Sequence, residues 1–214
     1  MFLMKKVKSF VLYIVFVFIF ALGLFSFLES DRAFAVSDTV VITLTVNSEI
    51  SITSPADSSM STALGVSQNT AVGTTTWNVK TNNSAGYTLA VKSSSNNPAM
   101  QTGGGSTISN DQVVAPALWS VSSGNAEFGF SAFGTDTTTG TWGSGTQCSS
   151  TTNVPSTGLK YLGLATSDVT IATRSSTTTP SGIDTTVCYA VEQNGFYVPS
   201  GTYTATVVAT ATAL

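Results

Sequence analysis

The feature that most constrains this chain is a strict two-residue alternation near its C-terminal end. From Tyr203 onward one face carries Ala205, Val207, Ala209, Ala211 and Ala213, while the other carries Thr204, Thr206, Val208, Thr210 and Thr212. Side chains that repeat every two residues line opposite faces of a strand, so the segment gathers its apolar face only when extended. Pro199-Ser200-Gly201 supplies the preceding turn. The inward alanines are small and leave room for bulky groups on a facing sheet, for which Trp77, Trp119 and Phe128 are the expected fillers.

The same period recurs along the chain. Val40, Ile42, Leu44 and Val46 alternate with Val41, Thr43 and Thr45, which predicts a first strand, and the apolar pair Ile50 and Ile52 follows. Trp77 and Val79 share one face, the turn-rich run Thr81 to Gly86 comes next, and Tyr87, Leu89 and Val91 resume the alternation. This reads as a hairpin. Further strands are expected at Leu118 to Val121, Ala126 to Phe133, Gly158 to Ala165 and Thr186 to Glu192. Ser93 to Asn97, Gly103 to Ser106, Thr135 to Thr141 and Ser175 to Ser181 lack alternation and read as loops. No amphipathic helix is evident after Ala35. The pattern predicts an all-β fold, an antiparallel immunoglobulin-like β-sandwich of about 7–10 short strands.

The first 35 residues stand apart. Lys5, Lys6 and Lys8 precede an uncharged run from Phe10 to Phe27, and Ala33-Phe34-Ala35 matches an A-x-A cleavage site. Residues 1–35 therefore read as a signal peptide or as an uncleaved N-terminal membrane anchor, since 18 helical residues span roughly 27 Å. In both cases the lysines stay inside and residues 36–214 are exported as a single domain. No Cys follows the run, so a lipoprotein anchor has no support.

The exported part excludes several functions. It carries Lys80, Lys92, Lys160 and Arg174 against nine acidic side chains, and four scattered cations cannot replace the counterions of a nucleic acid. The chain has no His, which removes His-based triads, His-ligated zinc and His proton shuttles. Polarity comes instead from hydroxyls: 62 of the 179 residues from Val36 are Ser or Thr. Such tracts occur in disordered stalks and on solvated sheet faces, and the alternation favours the sheet.

Cys148 and Cys188 are the chain's two cysteines, and in an exported protein an even count predicts a disulfide. Closing a loop of about 40 residues contributes about 4 kcal/mol in the chain-entropy model. A catalytic thiol would need a base at its side, and no His is present to act as one.

Two stretches carry a family likeness. Thr76-Trp77-Asn78-Val79-Lys80-Thr81-Asn82-Asn83-Ser84-Ala85-Gly86-Tyr87-Thr88-Leu89 and Val198-Pro199-Ser200-Gly201-Thr202-Tyr203-Thr204-Ala205-Thr206 resemble the WxL-type surface proteins of bacteria. The ending is also similar to that of spore-coat-U and related fimbrial-type sandwiches. The resemblance implies a secreted β-rich domain attached non-covalently to cell-wall polymer, which makes Trp77 a candidate wall contact. The alternative for Trp77, alternating with Val79, is a core residue.

Other candidates are weaker. Trp142, in the Gly-rich run Thr141 to Gly145, is either a stacking face for a sugar or a loop anchor against the sandwich. Asp111, Glu127, Asp136, Asp168, Asp184 and Glu192 are the carboxylates from which a glycosidase pair would come, about 5–9 Å apart. Asp136, Asp168 and Asp184 fall in no D-x-D-x-D-G calcium pattern, and Gly103-Gly104-Gly105 lacks the Lys and helix of a phosphate loop. No cofactor, metal or catalytic residue is assigned. The expectation is a non-enzymatic bacterial surface or adhesion protein that binds cell-wall polymer or another surface glycan or protein. One alternative is a fibre subunit in which Val40 to Val46 or Tyr203 to Ala213 pairs with a neighbour's sheet edge. The other is a secreted carbohydrate-active enzyme.

Overall fold

The structure is a computed structural model in which residues 2–26 and 35–214 are described. The chain divides into two compact units, 1–45 and 46–214. In the first, α1 spans Phe2–Ser26. Every described side chain from Phe10 to Leu24 is exposed, and this stretch of the helix carries no charge. Among the described residues no helix is long and apolar enough to cross a membrane. The uncharged run reaches beyond them at Phe27, and Ala33 of the cleavage motif also lies outside the described residues, whereas Ala35 is described and exposed.

The second unit is built of strands: β1 (Ile50–Thr53), β2 (Thr70–Thr81), β3 (Tyr87–Ser93), β4 (Met100–Gln101), β5 (Thr107–Asn110), β6 (Ala117–Leu118) and β7 (Asn125–Gly134). A single helical turn, α2 (Thr139–Trp142), precedes β8 (Ser149–Thr151), β9 (Val154–Pro155), β10 (Lys160–Tyr161), β11 (Val169–Arg174), β12 (Ile183–Asn194) and β13 (Val207–Ala213). A six-stranded sheet runs β1-β2-β12-β7-β5-β4 and a three-stranded one β11-β3-β13; β10-β6 and β8-β9 are small ribbons. The fold is all-β, as the alternation predicts.

The central strand is β12, antiparallel to β2 on one side and to β7 on the other. Its Val187, Tyr189 and Val191 enter the main core, and its Cys188 and Ala190 enter a second cluster on the opposite face. A strand covered on both faces needs apolar residues at successive positions, which the run Val187-Cys188-Tyr189-Ala190-Val191 supplies. The main core also takes Trp77 and Val79 from β2, Phe128 and Phe130 from β7, and Tyr87, Leu89 and Val91 from β3.

Three expectations are corrected. Residues 40–46 form no strand among the described residues, and the first strand is β1. Alternation marks which residues would share a face, but a strand also needs a neighbour to take its backbone groups. The expected hairpin is a crossover instead: β2 lies in the large sheet and β3 in the small one. The turn from Asn82 to Gly86 thus turns the inward faces of β2 and β3 toward one core. Gly86 sits at φ +87°, where a Cβ would lie 1.9 Å from the Arg174 carbonyl oxygen, so this crossover demands glycine. Finally, Trp119 is not a filler beneath β13. It lies on the opposite face of the large sheet, while Trp77 and Phe128 do reach the core.

Candidate functional site

Three of the six carboxylates singled out in the sequence are dispersed into separate structural roles. Asp136 accepts from the Tyr87 hydroxyl at 2.8 Å and pairs with Arg174 Nη1 at 3.1 Å. Burial first, then the Asp136 hydrogen bond, hold the Tyr87 phenol well above its ordinary pKa, so it stays a neutral donor. Asp168 pairs with Lys92 at 3.2 Å on the surface, and Asp184 accepts from Asn78 Nδ2 at 2.7 Å. These three aspartates therefore share no loop site. Among the described residues no group of three His, Cys, Asp or Glu side chains is placed to hold a metal ion.

Asp111, Glu127 and Glu192 do come together, which no sequence spacing discloses. The β7–β12 register sets Glu127 directly opposite Glu192, and the Asp111 N–H donates to the Phe128 carbonyl beside them. Glu192 accepts from Trp119 Nε1 at 2.7 Å. The Trp119 ring lies over Gly129, where a Cβ would stand 2.8 Å from it, so the missing side chain makes room for the indole. Tyr161 packs edge-on against Trp119 with centroids 5.3 Å apart, and burial pushes its phenol up to about 12. Asp111 and Glu127 are buried. Burial raises the pKa of both, and the neighbouring Asp111 and Glu192 charges raise Glu127 further. The group is thus two buried acids with raised pKa beside an indole whose one polar atom is already engaged by Glu192.

The disulfide joins Cys148 and Cys188 across a sequence separation of 40. It fastens the segment before β8 to the central strand, within the second cluster with Leu159 and Tyr161. Trp77 is 6% exposed and Trp142 2% exposed, the latter tilted against Phe130 at 5.3 Å. Both indoles are core residues in this fold, so of the two readings the sequence left for each, the packed one holds and neither offers an open stacking face. Gly103 to Gly105 form the tip of the tight turn between β4 and β5.

An exposed aromatic site lies elsewhere, and the sequence reading passed over it. The buried Gln193 at the end of β12 donates from Nε2 to the Gly65 carbonyl at 2.8 Å and accepts from the Val198 N–H at 3.1 Å. One side chain thus ties the loop around Val66 to the loop carrying Phe196 and Tyr197. Asn194 Nδ2 adds the Val121 carbonyl at 2.8 Å, and the Tyr203 hydroxyl donates to the Pro199 carbonyl at 3.0 Å. On these pinned loops Phe196 is 48% and Tyr197 63% exposed. Residues 61–69, 112–126 (up to Glu127) and 193–203 contain no charged side chain. Exposed aromatic rings on loops rich in amides and hydroxyls suit an uncharged ligand with both apolar and hydroxyl faces. The signal was the Phe196-Tyr197 pair itself, placed just past a strand end among turn residues.

Comparison with known protein families, curated proteins and solved structures finds no match.

Proposed function

We propose that this chain is an exported, non-enzymatic bacterial surface protein: an immunoglobulin-like β-sandwich that holds cell-wall polymer or another surface glycan. The observation that carries export is the Cys148–Cys188 disulfide, since such bonds persist outside reducing compartments. Residues 1–35 are the leader, or an anchor that retains the domain at the membrane. The two sheets with one shared core support the sandwich, with the turn from Asn82 to Gly86 as the crossover between its layers. With Trp77 and Trp142 buried, the sugar-facing groups are Phe196 and Tyr197. A ring face stacks on the apolar face of a sugar while neighbouring hydroxyls and amides bind its hydroxyls.

The reading is tested by sedimenting the chain with insoluble cell-wall material. Saturable binding that falls in Phe196→Ala/Tyr197→Ala with thermal stability unchanged supports it. No binding at any wall concentration overturns wall attachment.

A further inference from the structure

Residues 112–124 run as a strap along the outer face of the large sheet between β5 and β7, and three carboxylates meet at its edge. Glu127 of β7 stands directly opposite Glu192 of β12. Asp111 leads into the strap, and its Cβ lies 3.2 Å from where a Cβ on Gly129 would stand. Directly opposed residues of an antiparallel pair hold their Cβ atoms about 4.5–5.5 Å apart, so charges at 127 and 192 repel at short range. Asp111 and Glu127 are buried. On neighbouring β10, Tyr161 is a buried phenol and the Lys160 ammonium donates to the Gly140 carbonyl, while β5 carries no charge. Among the described residues no ion pair reaches the three acids. Toward the opposite end of β12 the buried Asp136 carboxylate has Arg174 at 3.1 Å; here that compensation is missing, and two buried acids are then tolerated only while neutral.

The strap is the part that can yield. Glu127 and Glu192 belong to the continuous β7–β12 ladder, whereas the strap is held by the two-residue β6–β10 ribbon, by Trp119 Nε1 on Glu192 at 2.7 Å and by Asn194 Nδ2 on the Val121 carbonyl at 2.8 Å. Val114 and Leu118 of the strap are already exposed, so lifting it uncovers chiefly Trp119 and Val121.

The geometry points to a strap worked by protons: residues 112–124 stay docked on β7 and β12 while Asp111 and Glu127 are protonated, and they lift away when both ionise beside Glu192, letting water reach the three charges. Burial raises both carboxyls above their ordinary range, which fixes the direction. Opening releases their protons. Between the ordinary carboxyl range near about 4 and the raised closed-state values, each released proton makes opening about tenfold easier per pH unit, and above those values the dependence levels off. Low pH closes the strap and higher pH opens it. At its far end the Gly124 N–H donates to the Asn194 carbonyl at 2.6 Å, one residue before the turn that leads to Phe196 and Tyr197. Opening therefore loosens the footing of that aromatic loop. The inference concerns the strap itself and does not rest on wall attachment.

Hydrogen exchange of the full chain, read by mass spectrometry from about pH 5 to about pH 8 and corrected for the intrinsic rate at each pH, tests it. Peptides within 112–124 should lose protection by at least about tenfold over that range while β7 and β12 keep theirs. Glu127→Gln cannot ionise and should hold the strap closed at the upper pH. Glu192→Gln keeps an acceptor for the Trp119 indole but removes the opposing charge, so it should move the opening to higher pH; this half-buried position decides the matter where Glu127→Gln does not fold. Strap protection that follows β12 at every pH overturns the proposal. So does opening that is the same in the parent and the variants, or a strap better protected at the upper pH than at the lower.

Discussion

Residues 40–46 and Val207–Ala213 carry nearly the same pattern and meet opposite fates. Both are seven-residue runs that open on two valines and then alternate apolar residues with threonine. One is β13, hydrogen-bonded to β3 along its length; the other forms no strand among the described residues and is exposed. Hydrophobicity does not explain the difference, since Ile42 and Leu44 are more apolar than the alanines of β13. The alanines point to the core beside their register partners, Ala209 next to Val91 and Ala211 next to Leu89, with β3 taking the backbone bonds. Periodicity nominates a strand; a neighbour with matching register and room makes it one.

The comparison is broken most severely by emptying the core on which β13 lies. Trp77→Ala should lower unfolding stability by about 3–5 kcal/mol, measured by urea denaturation, because the 6%-exposed indole leaves a large cavity. A loss under 1 kcal/mol, with wall binding abolished, would instead make Trp77 a ligand contact. Next in size is the Cys148→Ser/Cys188→Ser pair, expected to cost about 4 kcal/mol. The loss should fall on the face opposite β13. Hydrogen exchange would then rise in residues 145–162 before it rises in β13.

A third test separates the two faces of the large sheet by pH. The carboxyls of Asp111 and Glu127 are held above their ordinary range by burial, so the folded chain binds their protons more tightly than the unfolded chain. Stability should therefore rise as pH falls from above the raised folded values toward the ordinary carboxyl range near 4. Glu127→Gln should be more stable than the parent at neutral pH and should flatten this dependence. A parent whose melting temperature drops monotonically from pH 7 to pH 4 would contradict the placement of these acids.

The sequence made much of this legible, and the exceptions have physical reasons. β13 follows from alternation, β7 and β12 from apolar runs bounded by turn residues, and the Cys148–Cys188 pair from an even cysteine count; the expected loop Thr135 to Thr141 instead runs into α2. The β2–β3 pairing does not, because a turn of the same residues serves a hairpin within one sheet or a crossover between two. β11 was missed: in Val169-Thr170-Ile171-Ala172-Thr173-Arg174 the register shift at Thr170/Ala172 breaks the alternation that would have marked it. The Glu127–Glu192 juxtaposition depends on register between strands 65 positions apart in the chain. Trp119 was assigned to the wrong face because nothing local says that Gly129 provides its seat. The exposed Phe196 and Tyr197 could have been found, since a pair of aromatics among turn residues is unusual where a loop needs no anchor.

The smallest expected effect is the most discriminating. Leu44→Ala removes a side chain that is 84% exposed, so monomer unfolding should change by less than about 0.5 kcal/mol. Ala211→Gly, at the equivalent place in β13, removes less bulk yet loses strand propensity and a contact with the core, and should cost roughly 1 kcal/mol. If the two substitutions cost the same, segment 40–46 is already paired within the monomer and the contrast between the runs disappears.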